Sequence, residues 1–244
     1  AKGLINACIA EAEIDVKATR FPKPDVVGDI GSLAINKQVD VREVIEDRYP
    51  WFEQLAEQII DVLVRYSKRK RANGLMDFDD LLVLWLRLLK DHVDICDLYQ
   101  KRFQFILVDE YQDTNQLQAE LIDLLGERFK NVMVVGDDSQ SIYSWRGANF
   151  QNILEFPSRY SGAQVYKIET NYRSTPQILE LANAAIAANT QQFSKELTAA
   201  RAAGEMPARV VCGAADEQAA FVAQRALELR EEGIELNDMA VLYR

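Results

Sequence analysis

The chain has 244 residues, 48% of them hydrophobic and 27% charged, and its 38 acidic against 28 basic side chains give a formal net charge of −10. That composition argues against a disordered tail and predicts one large domain or two modest ones, while the acidic balance argues against non-specific coating of nucleic acid but not against a local groove. No apolar run approaches the roughly 18 residues a membrane span needs, acidic Glu11, Glu13 and Asp15 stand where a signal peptide would be apolar, and three scattered cysteines with one histidine supply no disulfide framework or zinc site; a soluble, cytoplasmic chain is predicted.

In chain order, the first 50 residues are broken by Pro22, Pro24, Gly28 and Gly31, which argue against any long element. From Trp51 to about Ala72 the apolar set Phe52, Leu55, Ile59, Val62, Leu63 and Tyr66 recurs every three to four residues and predicts an amphipathic helix ended by Asn73-Gly74. Its basic run, Arg65 to Arg71, reads as a solvated face, with contact to a DNA backbone as the other reading. A second helix is predicted from Phe78 to Lys90, with Asp77 as N-cap and Asp79 and Asp80 favoured in the first turn. Phe103–Val108 suits a buried strand, Gln116–Arg128 a helix and Val132–Val135 another strand, so a βαβ unit with parallel strands is expected. Val165–Ile168 reads as a further strand, followed by a helix from Pro176 to about Asn189 capped by Ser174 or Thr175. Val210-Val211, a helix over Asp216–Glu232 and a last strand at Met239–Tyr243 close the chain. The alternation predicts an α/β fold from residue 100 onward with an α-helical region before it.

Asp109-Glu110 follows the first strand directly, at the carboxyl edge where open α/β sheets bind ligands. Two carboxylates there suit a hard divalent cation plus a base for water; an acidic pair opening a turn is the commoner source of such a dipeptide. The second strand ends in Gly136-Asp137-Asp138-Ser139-Gln140, and Gln140 could bond a phosphate or merely a loop backbone. Tyr143, Trp145 and Arg146 could stack on unpaired bases and pair with phosphate, or the rings could be core. Arg173, between a strand and a capped helix, could reach a phosphate or pair locally.

Taken together the segments FILVDEYQDTN (105–115), VMVVGDDSQSIYSWRGA (132–148) and ETNYRST (169–175), with GLMDFDDLL (74–82) and MAVLYR (239–244), make the sequence resemble the UvrD/Rep/PcrA family of superfamily 1 DNA helicases. The resemblance covers residues 52–244 well and 1–51 only weakly. It implies a RecA-like parallel-sheet motor core of the P-loop NTPase type, with an α-helical N-terminal region. The domains implied are 1–75 as part of a 1B-like subdomain, 76–168 as the second half of motor domain 1A, and 169–244 as the start of 2A. It implies ATP and Mg²⁺ as ligands: Asp109 on the metal, Glu110 as general base, Gln112 and Asp113 linking the nucleotide site to its neighbours, Gln140 sensing the γ-phosphate, Tyr172 on adenine and Arg173 as arginine finger. Tyr143, Trp145 and Arg146 would contact single-stranded DNA, and the whole protein would unwind duplex DNA with 3′-to-5′ polarity in repair or replication. Ser139 departs from the acid that relatives often carry there.

No glycine here is followed by Lys-Ser or Lys-Thr, so the loop that cradles phosphates is missing from these residues. The expectation is an internal piece of a helicase, inactive by itself, whose half-sheet exposes edges and apolar surface and so favours oligomerisation. A non-hydrolysing nucleic-acid-binding module, and a Mg²⁺-dependent hydrolase using Asp109, Glu110 and Asp137, are the alternatives.

Overall fold

A computed structural model describes residues 1–243. The N-terminal third is helical: α1 (Lys2–Glu11), α2 (Pro24–Lys37), α3 (Val41–Arg48) and α4 (Ala56–Ala72). Their buried stripes, including Ile5, Cys8, Val27, Ile30, Val44, Ile45, Ile59 and Val62, close on one another as a single core. Each such side chain contributes about 1.5–3 kcal/mol when taken out of water. The expected break in this region does not occur. Pro24 sits in the first turn of α2, where its missing N–H costs nothing, and Gly31 lies inside the helix because a Cβ there would come within 2.7 Å of the Leu63 side chain on α4. The helix forms because its glycine is a packing contact rather than a punctuation mark.

The helix predicted from Trp51 begins as a 3₁₀ turn, Pro50–Leu55, and becomes α-helical only at Ala56. Its basic run is not uniformly solvated. Lys70 is buried, and its ammonium pairs with both Asp77 and Asp80 across the Asn73-Gly74 turn. Asp77 in turn caps α5 (Phe78–Asp91) through a reciprocal capping box with Asp80. Arg65 and Arg69 pair with Asp61 and Glu11.

Helix α5 passes through His92 into α6 (Val93–Arg102), then β1 (Ile106–Val108), α7 (Gln116–Gly126) and β2 (Val132–Val134). The two strands pair in parallel, Ile106 beside Val132 and Val108 beside Val134, which is the expected βαβ unit in shortened form. Leu86, Leu89, Cys96, Leu117, Leu121 and Leu125 form the core beneath it. A third cluster, Tyr111, Ile153 and Phe156, joins the strand ends to α8 (Gln151–Arg159). The opposite face of the sheet is bare: Phe105, Leu107, Met133 and Val135 are all exposed.

By internal contacts the chain divides into two units, the first comprising residues 1–168 and 189–195, the second 169–188 and 196 onward. The second unit holds β3 (Thr170–Asn171), α9 (Pro176–Ile186), β4 (Thr198–Ala199) and α10 (Ala215–Glu231), with β3 and β4 parallel. The strands expected at Val165–Ile168, Val210-Val211 and Met239–Tyr243 are absent among the described residues. Tyr166, Ile168, Val211 and Leu242 are exposed with no neighbouring strand among the described residues to complete a ladder; Arg244, the last residue of the MAVLYR segment, lies outside the described residues. Leu179 is the only buried hydrophobic of the second unit among the described residues. No helix among them is long and apolar enough to cross a membrane.

Candidate functional site

The ladder between β1 and β2 runs on past the strands and sets the loops that follow. Val135 donates its N–H to Val108 at 2.8 Å, and Tyr111 donates to the Val135 carbonyl at 2.9 Å. Between those two bonds Asp109 and Glu110 project, both exposed. Glu110 adopts a left-handed backbone, φ 51°, which a non-glycine residue enters at a cost. Asp109 stabilises that turn by accepting the Glu110 N–H on Oδ1 at 2.9 Å.

Gln112 holds the two loops together. It is buried, donates from Nε2 to Glu110 Oε2 at 2.7 Å, and accepts the Asp137 N–H on Oε1 at 3.0 Å. Gly136 is required beside it, because a Cβ there would fall 2.3 Å from Gln112 Oε1 and 2.9 Å from Ile153. Asp137 accepts three donors: the Ser139 N–H and the Lys195 ammonium on Oδ1, and Gln140 Nε2 on Oδ2 at 2.8 Å. Burial raises the Asp137 carboxyl, but the bonds from Lys195 and Gln140 outweigh it and hold it below the ordinary carboxylate range. Asp113 shows the opposite balance, raised first by burial and then by the Glu110 charge, with Oδ1 buried and unpartnered. The candidates Glu110, Gln112, Asp137 and Gln140 therefore form one connected hydrogen-bonded chain, with Asp109 and Asp113 flanking it.

The aromatic residues follow on a 3₁₀ turn, Ser144–Arg146. Tyr143 is 39% and Trp145 59% exposed, so neither is core. Their ring centroids are 6.5 Å apart, and the Arg146 guanidinium lies 4.5 Å from the Trp145 ring and 5.7 Å from that of Tyr143. All three line an open groove of about 810 Å³ with Arg48, Phe78 and Asp113. Apolar rings and two guanidinium groups in one concave surface, beside the three carboxylates of Asp29, Asp79 and Asp113, can stack flat aromatic groups and offer an anion two local cations.

A buried polar clamp joins this groove to the acidic edge. Asn115 donates to Asn36 Oδ1 at 2.6 Å, Asn36 donates to Asp79 at 3.0 Å, and the Asn149 N–H bonds the Thr114 carbonyl at 2.9 Å. Asn152 adds donation to the same carbonyl at 3.0 Å. Thus two residues, Thr114 and Asn115, connect Asp113 to the exit of the aromatic turn.

Tyr172 and Arg173 belong to the second unit, where both are exposed. Asn171 Oδ1 accepts the backbone N–H groups of Arg173 and Ser174, and Arg201 donates to the Arg173 carbonyl. The turn is fixed while the two candidate side chains are left exposed.

Sequence reasoning missed Lys195, Asn36 and Asn152. Lys195 lies 58 residues from Asp137 and belongs to no local pattern; the two asparagines sit inside helices and their partners lie on other segments.

Comparison with known proteins gives two family matches. The profile of the UvrD/REP helicase N-terminal domain matches residues 12–161, and that of the UvrD-like helicase C-terminal domain matches residues 166–244. The chain is 35% identical to the ATP-dependent DNA helicase PcrA of Staphylococcus aureus and 34% identical to that of Staphylococcus epidermidis. In each case the alignment spans the whole chain but only 32% of the relative's length.

Proposed function

The chain belongs to the UvrD/REP helicase family, and on that premise we propose that it is the central portion of a DNA-stimulated, ATP-dependent helicase of 3′-to-5′ polarity. It carries the hydrolytic carboxylates and a single-strand groove, but not the phosphate cradle. The observation that carries this reading is the connected chain from Glu110 through Gln112 and Asp137 to Gln140, within the unit whose aromatic groove begins three residues later.

The roles follow from chemistry. Glu110 is an exposed carboxylate oriented through one oxygen by Gln112, which suits a base that takes a proton from attacking water. Asp109 gives one oxygen to the Glu110 N–H, and its other oxygen is a hard ligand suited to a magnesium ion or its water. When bound, Mg²⁺ supplies neutralisation of the phosphate charge. Gln140 offers an amide N–H to the terminal phosphate, and Tyr143, Trp145 and Arg146 hold a single strand by stacking and ion pairing. On the second unit the exposed Tyr172 ring is suited to stack on a nucleotide base and the Arg173 guanidinium to meet a phosphate.

The bare sheet face of Phe105, Leu107, Met133 and Val135 supports the rest. Parallel sheets are covered on both faces in α/β folds, so a further βα layer bearing a Gly-Lys-Ser/Thr loop is the proposed cover in a longer polypeptide. The 244-residue chain alone then hydrolyses no ATP. ATP turnover of the full-length protein with and without a single-stranded oligonucleotide tests the reading; a rate indifferent to DNA would contradict it.

A further inference from the structure

Lys195 is placed where the proposed reaction needs a cation that no sequence motif supplies. The segment 189–195 runs in the first unit, anchored by Phe193 against the cluster of Tyr111, Ile153 and Phe156. At its end the Lys195 ammonium, largely withdrawn from solvent, pairs with Asp137 Oδ1 and lies 3.2 Å from Asp138 Oδ1. Asp138 is buried, with its second oxygen unpartnered. Among the described residues no other cation forms an ion pair with Asp109, Glu110, Asp113, Asp137 or Asp138.

Gln140 is meanwhile held by Asp137. To meet a terminal phosphate it must release that carboxylate, and the polyanion must approach two aspartates. Without a cation both requirements are adverse: Asp137 would lose a donor, and like charges would face each other at short range in a partly buried setting.

We propose that Lys195 is a positioning residue for nucleoside triphosphate recognition. By neutralising Asp137, the carboxylate that holds Gln140, it lets the Gln140 amide exchange that partner for the γ-phosphate. This rests on the function proposed above. The effect is specific to the γ-phosphate, because Gln140 is the group released. A lysine that only braced the loop would alter affinity for a diphosphate and a triphosphate alike.

The test is ATP hydrolysis and ADP inhibition by the full-length protein carrying Lys195→Met, Lys195→Arg, Asp137→Asn with Lys195→Met, or Gln140→Ala. Lys195→Met is expected to raise KM for ATP about tenfold, equivalent to about 1.4 kcal/mol, with the ADP inhibition constant unchanged. Arginine restores KM, and so does Asp137→Asn in the methionine background, since the charge to be neutralised is gone. Should Lys195→Met fail to fold, the double variant against Asp137→Asn alone carries the comparison: equal KM supports the proposal, and a further rise overturns it. An unchanged KM for ATP, or equal losses for ATP and ADP, also overturns it. Gln140→Ala separates the two levels. If it too leaves ATP and ADP discrimination intact, the phosphate-sensing reading fails; if it abolishes discrimination while Lys195→Met does not, only the role of Lys195 fails.

Discussion

Gln112 Nε2 donates to Glu110 Oε2 at 2.7 Å, so an exposed carboxylate of the candidate site is oriented by one of the most buried amides in the chain. The same amide receives the Asp137 N–H, which makes it a side-chain link between the β1 and β2 loops. Removing it leaves a backbone donor without its acceptor and a gap beneath Gly136.

Gln112→Ala is therefore expected to lower folding stability by about 1–3 kcal/mol, the cost of stranding a buried polar group. Chemical denaturation of the 244-residue chain measures this. A midpoint equal to that of the unaltered chain would mean that the loops are held together by something else.

Trp145→Ala is expected to weaken binding of single-stranded DNA by the full-length protein by about 1–3 kcal/mol, with ATP affinity little changed. Fluorescence anisotropy with a labelled oligothymidine at fixed salt reads it, since the phosphate contribution shifts with ionic strength. Equal affinity for both forms would remove the ring from the DNA surface.

Lys70 offers a test of the helical region that is independent of function. Burial raises the Asp77 carboxyl, but hydrogen bonds from Lys70, the Asp80 backbone and Tyr66 bring it below its ordinary value of 3.8. A depressed folded-state pKa contributes stability that is present above that value and is lost as pH falls through the folded one. Thermal melts of the chain should drop below about pH 4, and Lys70→Met should lower the melting temperature at pH 7 while flattening that acid decline. Parallel pH curves for the two forms would contradict the pairing.

Much of the site was legible because its residues follow apolar strands directly. FILV before Asp109 and VMVV before Gly136 put two polar loops at one sheet edge, and the parallel pairing of Ile106 with Val132 bears this out. The α5 cap was equally readable, since Asp77 and Asp80 stand at capping-box spacing. What stayed hidden is non-local. Gly31 looked like a helix breaker because its reason, the Leu63 side chain, lies on another helix. Lys70 looked solvated because its partners follow a turn that reverses the chain. The apolar pairs at Val165–Ile168 and Val210-Val211 looked like strands because apolar composition shows burial demand, whereas a strand also needs a neighbour to accept its hydrogen bonds.

The central claim is that Glu110, oriented by Gln112, is the base of a DNA-stimulated ATPase. The most direct measurement is ATP turnover by full-length Glu110→Gln with saturating single-stranded DNA, alongside equilibrium binding of a fluorescent ATP analogue. The account predicts turnover reduced by about 10²–10⁴-fold, with nucleotide affinity within a few-fold of the unaltered protein. Hydrolysis at the unaltered rate would contradict it and send the search for the base to another carboxylate.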